Sequence, residues 1–101
     1  MGLFNLFGSG GSNNIEEYLK KGAVVIDVRT VAEYSEGHVE GSKNIVLDTI
    51  QNHIDEIKAL NKPVITCCRS GARSGSAESI LKEHGIDCIN GGPWQNVDKH
   101  M

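Results

Sequence analysis

The continuous apolar run Ala23-Val24-Val25-Ile26 constrains the fold of this chain most. A strand without polar alternation suits burial on both faces, which is the situation of a parallel sheet covered by helices above and below. Asp27-Val28-Arg29-Thr30 closes that strand, and Val31 to Glu36 reads as a short helical turn before Gly37-His38. Further strands are expected at Asn44-Ile45-Val46, at Val64 to Cys67 and at Asp87-Cys88-Ile89-Asn90.

Helical periodicity fills the intervals. Ile15, Tyr18 and Leu19 share one face of a helix that Asn13 or Asn14 can cap and Gly22 ends. Leu47, Ile50, Ile54 and Ile57 recur at spacings of three and four, predicting an amphipathic helix to about Leu60, stopped by Asn61-Lys62-Pro63. Ala77, Ile80, Leu81 and His84 mark another, ended by Gly85. Gly91-Gly92-Pro93 is expected to turn the chain into a last short helix near Trp94. Strands alternating with helices give an α/β domain with a central, mainly parallel sheet of four to five strands and helices on both faces.

The Gly/Ser/Asn-rich stretch Gly8 to Asn14 has linker composition, so residues 1–13 are expected as a flexible segment and residues 14–101 as the domain. The apolar segment Leu3-Phe4-Asn5-Leu6-Phe7 has no assigned place, with an added strand, a partner contact, a membrane contact or disorder as its readings.

Ligands of open α/β sheets bind outside the carboxyl ends of the strands. There the segments Asp27 to Thr30, Cys67 to Ser74 and Asn90 to Trp94 should meet. Within the second, Cys67-Cys68-Arg69-Ser70-Gly71-Ala72-Arg73-Ser74 puts a thiol between a strand end and a helix N-terminus. Backbone N–H groups, the helix dipole and two guanidinium groups all favour a thiolate there.

Taken together, Ile26-Asp27-Val28-Arg29, Glu33-Tyr34, Gly37-His38, Gly41, the segment Cys68 to Ser74, and Gly91-Gly92 with Trp94 resemble the small single-domain members of the rhodanese family, from roughly Ile15 to the C-terminus. That resemblance implies a sulfurtransferase of thiosulfate sulfurtransferase type. Cys68 would be the nucleophile that takes a sulfane sulfur from thiosulfate or a persulfide and passes it to a thiol or cyanide. Arg69, Ser70, Gly71, Ala72, Arg73 and Ser74 would form the anion-binding loop, with Arg69 and Arg73 on the donor. Asp27, Arg29, Glu33 and His38 fall on family positions that are expected to be structural near the site. The implied partners are a small anionic sulfur donor and a thiol acceptor, with a protein sulfur carrier as one candidate, and neither a metal nor a cofactor is needed.

The paired cysteines leave a second register open. Counted from Cys67, the segment reads Cys, five residues, Arg73, which resembles the tyrosine phosphatase signature and would serve a rhodanese-fold phosphatase or arsenate reductase. Gly71 stands three residues after Cys68, Thr66 occupies the position where the phosphatase pattern has histidine, and Cys67 completes the strand run; all three favour Cys68. A non-catalytic rhodanese module used for binding is the third reading. Cys67 and Cys88 are expected as packing residues.

A formal net charge of −3 over 101 residues gives no basic field for nucleic acid, and no run reaches the roughly 18 apolar residues of a membrane span. Three cysteines make a poor disulfide framework in a chain of this size, so a reducing, cytoplasmic setting is expected.

Overall fold

The computed structural model describes residues 10–101. Its elements are α1 (Gly10–Lys20), β1 (Val24–Asp27), α2 (Val31–Ser35), β2 (Lys43–Asn44), a 3-10 helix (Leu47–His53), α3 (Ile54–Leu60), β3 (Val64–Cys68), α4 (Ala72–Glu83), β4 (Cys88–Pro93) and α5 (Trp94–Asp98). Among the described residues the sheet has four strands in the order β2-β1-β3-β4, every neighbouring pair parallel. No helix among them is long and apolar enough to cross a membrane.

The two faces of the sheet carry separate cores. Alternation along β1 and β3 sends Ile26, Val28, Val64 and Cys68 to one face, where they pack with Ile50, Ile54 and Ile57 of the 3-10 helix and α3 and with Ala77 and Leu81 of α4. Val25, Ile65 and Cys67 go to the other, against Ile15 of α1 and Val97 of α5. Each fully buried aliphatic side chain contributes about 1.5–3 kcal/mol. Two-sided burial is what the unbroken apolar run before Asp27 demands.

Several boundaries differ from the sequence expectation. Helix α1 begins at Gly10, so residues 10–13, read as the end of a linker, enter its first turns; Leu3 to Phe7 lie outside the described residues. Strand β2 is Lys43–Asn44, not Asn44 to Val46: the Asn44 side-chain amide turns onto the carbonyls of Asp27 and Arg29, both at 3.0 Å, while the Ile45 and Leu47 N–H groups still reach the carbonyls of Asp27 and Val28 at 3.0 and 3.1 Å. The helix expected from Leu47 starts as 3-10, where the three-residue spacing of Leu47 and Ile50 aligns them on one edge, and becomes α only at Ile54. His84 is exposed beyond the end of α4 and is not part of its packed face.

Gly91-Gly92-Pro93, expected as a turn, belongs to β4. Thr66 pairs with Asn90 but Cys68 with Pro93, so β4 carries one extra residue at a bulge opposite Cys67. Gly91 is buried inside this irregularity: a Cβ there would lie 2.7 Å from Val97 Cγ2 and 2.8 Å from Ile65 Cγ2. Only glycine lets β4 approach so closely.

Candidate active site

The carboxyl ends of β1, β3 and β4 bring the three expected segments together. Strand β3 runs through Cys68, one residue further than anticipated, and delivers its sulfur under the turn that starts α4. Gly71 makes that turn with φ +102°, a left-handed conformation that side chains resist, and its Cα faces Gly92 so closely that a Cβ would stand 3.4 Å from the Gly92 Cα. The tight turn aims two N–H groups at the sulfur, from Gly71 at 3.0 Å and Ser74 at 3.4 Å, and the Ser74 hydroxyl, 3.4 Å away, can turn its one proton from Asn90 Oδ1 to the sulfur.

Burial of Cys68 opposes ionisation, but the hydrogen bonds from the Ser74 side chain and from the backbone of Ser74, Gly71 and Ser70 win and hold the thiol below its ordinary value. The N-terminus of α4 acts in the same direction. Cys68 is nonetheless fully covered in the resting loop.

Cys67 has the opposite surroundings. Its side chain is buried on the α1/α5 face, and burial, reinforced by the nearby Asp27 carboxylate, pushes its thiol far above the ordinary value. It belongs to the packing, as expected. Burial likewise pushes Cys88 up to about 12.

The expected loop residues divide into groups. Ser70 and Ala72 stay at the outer turn, where the Ala72 N–H donates to Ser70 Oγ at 3.4 Å. Arg73, expected on the donor, makes a two-point ion pair with Glu33 at 2.8 and 3.1 Å, and the exposed Arg69 sits 3.7 Å from the same carboxylate. Glu33 simultaneously caps α2, accepting the Thr30 N–H at 3.0 Å, while Thr30 Oγ1 accepts the Glu33 N–H at 3.2 Å. Its side chain therefore ties α2 to the cysteine loop.

Asp27 and Arg29 form a buried pair. Arg29 donates to Asp27 through Nε at 2.9 Å and Nη2 at 2.7 Å, and to the carbonyls of Gly37 at 2.7 Å and Glu33 at 3.2 Å. Nε, both Nη2 hydrogens and one Nη1 hydrogen are engaged, and such pairing is what lets an interior tolerate charge. Arg29 also lies 5.3 Å from the centre of the Trp94 ring, a cation–π contact that joins the first segment to the third. His38 is exposed, stacks on Tyr34 with 3.7 Å between ring centres, and donates through Nδ1 to the Tyr34 carbonyl at 2.7 Å. It is a turn residue with no contact to the thiol.

Asn90 was not singled out from the sequence as a site residue, yet it fixes the loop. Its Nδ2 donates to the Gly71 carbonyl at 3.0 Å, while Oδ1 accepts from Ser74 Oγ at 2.6 Å and from the Gly92 N–H at 2.8 Å. Buried Thr66 adds a bond from Oγ1 to the Ser74 carbonyl at 2.9 Å. The available signal was position: Asn90 ends the fourth apolar run, immediately before the double glycine.

Comparisons with known proteins bear on the fold. Residues 13–92 match the family model described as Rhodanese-like domain. The chain is 38% identical over 63 residues to the protein YqhL of Bacillus subtilis, a stretch covering 62% of this chain and 49% of that protein. It therefore spans about half the length of that relative. It is also 38% identical over 74 residues to the thiosulfate sulfurtransferase PspE of Escherichia coli, covering 71% of each. The crystal structure of a rhodanese-like domain protein from Staphylococcus aureus superimposes with a TM-score of 0.67 at 26% identity, covering 85% of this chain and 86% of that one.

Proposed function

The chain belongs to the rhodanese-like domain family, and from that premise we propose that it is a sulfurtransferase working through a persulfide on Cys68. The observation that carries the proposal is the pair of backbone N–H groups converging on Cys68 Sγ at the end of β3, with the Ser74 hydroxyl beside them. They stabilise a thiolate before reaction and the anionic persulfide after it. No metal or cofactor is called for.

In the proposed first step the Cys68 thiolate attacks the outer sulfur of thiosulfate or of a persulfide. The sulfur–sulfur bond of the donor breaks, and sulfite or a thiolate leaves with the bonding electrons. In the second step an acceptor thiolate or cyanide attacks the outer sulfur on Cys68, and the Cys68 thiolate leaves. Since Cys68 is covered at rest, the exposed half of the loop, Arg69 and Ser70, has to yield to admit the donor. A pKa lowered only part of the way serves both steps, because nucleophilicity falls along with pKa. Free cysteines at all three positions suit a reducing, cytoplasmic setting.

The phosphatase or arsenate reductase register through Cys67 has little support. Cys67 receives none of the loop hydrogen bonds and lies on the opposite face of the sheet. A purely binding module would not call for an activated thiol.

The test is to incubate the full chain with thiosulfate, or with the persulfide of a simple thiol, and measure intact mass. A one-sulfur adduct that survives Cys67→Ala and disappears in Cys68→Ser is expected. Loss of the adduct in the Cys67 variant alone, or aryl phosphate hydrolysis that requires Cys67, would overturn the proposal.

A further inference from the structure

The charges around the candidate site are unusual for a pocket meant to receive a dianion. Arg29 and Arg69 line an open crease, Arg73 reaches its Glu33 from the cysteine loop, and each of the three guanidinium groups has a carboxylate against it or close by. Asp27 takes Arg29, and Glu33 takes Arg73 at two points and approaches Arg69. Glu36 lines the same crease of about 230 Å³ with Arg29, Glu33, Arg69 and Trp94. Three positive and three negative groups cancel, so an ionised Cys68 leaves the surroundings with a net negative charge.

Building on the sulfurtransferase reading above, we infer that Glu33 sets donor specificity: by occupying the loop arginines it disfavours dianionic donors such as thiosulfate and leaves the site suited to persulfides of small charge. A dianion must draw Arg69 or Arg73 away from an intramolecular carboxylate already in place. The persulfide of an uncharged thiol needs neither arginine. The outer sulfur of the protonated donor, RS–SH, is attacked by the Cys68 thiolate, the S–S bond breaks, RS⁻ leaves with the bonding electrons, and the Cys68 persulfide then releases its proton to solvent; such a donor brings at most one negative charge, against two for thiosulfate.

Glu33 holds this role at every working pH. Its hydrogen bonds to Arg73 and then to the Thr30 backbone lower its carboxyl to about 2, so the competing charge does not titrate away near neutrality. The capping bond with Thr30 also holds the carboxylate in place from the side away from the loop. Glu33→Gln is accordingly an informative substitution. Glutamine serves the same capping position as glutamate, so the variant keeps the helix start while deleting the charge.

The experiment measures kcat/KM of the full chain for thiosulfate and for mercaptoethanol persulfide, in the unsubstituted protein, Glu33→Gln and Thr30→Ala. Removing one like charge from beside a solvent-accessible dianion is worth about tenfold in affinity. Glu33→Gln is thus expected to raise kcat/KM for thiosulfate about tenfold, mainly through KM, and to change the persulfide value by less than about twofold, with the gain shrinking at high salt. Thr30→Ala, which loosens the cap but keeps the charge, is expected to leave the ratio of the two donors unchanged. Equal changes for both donors in Glu33→Gln, or the same shift in Thr30→Ala, would overturn the inference while leaving sulfur transfer intact. Absence of any one-sulfur adduct from either donor in the unsubstituted chain would instead overturn the sulfurtransferase reading, and the inference with it.

Discussion

Cys67 and Cys68 share a peptide bond and little else. Alternation on β3 sends one thiol into the core against α1 and α5 and the other under the turn that begins α4. Burial faces both, but only Cys68 meets donors that offset it, so one pKa rises and its neighbour's falls. The two residues teach that reactivity here is a property of where hydrogen-bond donors point, not of residue type or depth.

Substitution at the two positions should separate them most sharply. Cys68→Ser is expected to abolish the one-sulfur adduct altogether. Cys67→Ala should keep it and lower stability by about 1 kcal/mol through a small cavity, read by chemical denaturation. On the Cys67 side, the packing character of the face is tested by Gly91→Ala. The added methyl would meet Val97, Ile65 and the Thr66 carbonyl, all within 3.0 Å, and should cost about 1–3 kcal/mol. A stability change near zero would show that the β4 bulge can relax.

On the Cys68 side, Asn90→Ala removes the partner of the Gly71 carbonyl, the Ser74 hydroxyl and the Gly92 N–H. A stability loss of about 1–2 kcal/mol is expected. More telling is the pH dependence of Cys68 alkylation. Its midpoint should lie below that of an ordinary thiol in the unsubstituted chain and move upward in Asn90→Ala, with Cys67 and Cys88 unreactive until the chain unfolds. An unmoved midpoint would remove Asn90 from the positioning of the loop.

The smallest effect concerns acid stability. The Glu33 carboxyl is held at about 2 in the folded chain against 4.5 ordinarily. A lowered folded pKa contributes stability that is present above about pH 4.5 and is lost as pH falls toward 2. The stability difference between the unsubstituted chain and Glu33→Gln should therefore close over that window in acid denaturation curves. A difference that is constant down to pH 2 would mean that the ion pair adds nothing to folding.

The architecture was legible because burial on both faces leaves a one-dimensional trace. The apolar runs at Val24 to Ile26 and Val64 to Cys67 announced a covered parallel sheet, and chain order placed the cysteine segment at its functional edge. Side-chain partners left no such trace. Nothing in the spacing of Glu33 and Arg73, forty residues apart, says that they pair. Asn90 is equally silent, since its place at the end of an expected strand does not say that its amide reaches the cysteine turn. Local rules also misjudged the ends of β2 and the first turns of α1, where the helix extends through glycine.

The span of the ties around the site bears on how it comes together during folding. Arg29 reaches groups two, four and eight residues away, so its knot closes short loops at small entropic cost and can form early. The bonds from Asn90 to the cysteine turn span 16 and 19 residues, and the Arg73 pair with Glu33 spans 40. These distant ties can close only after β1, β3 and β4 lie side by side, which places them late in assembly. The neutralised surroundings of the thiol are thus a product of the finished fold, and a partly assembled chain would present Arg73 without its carboxylate partner.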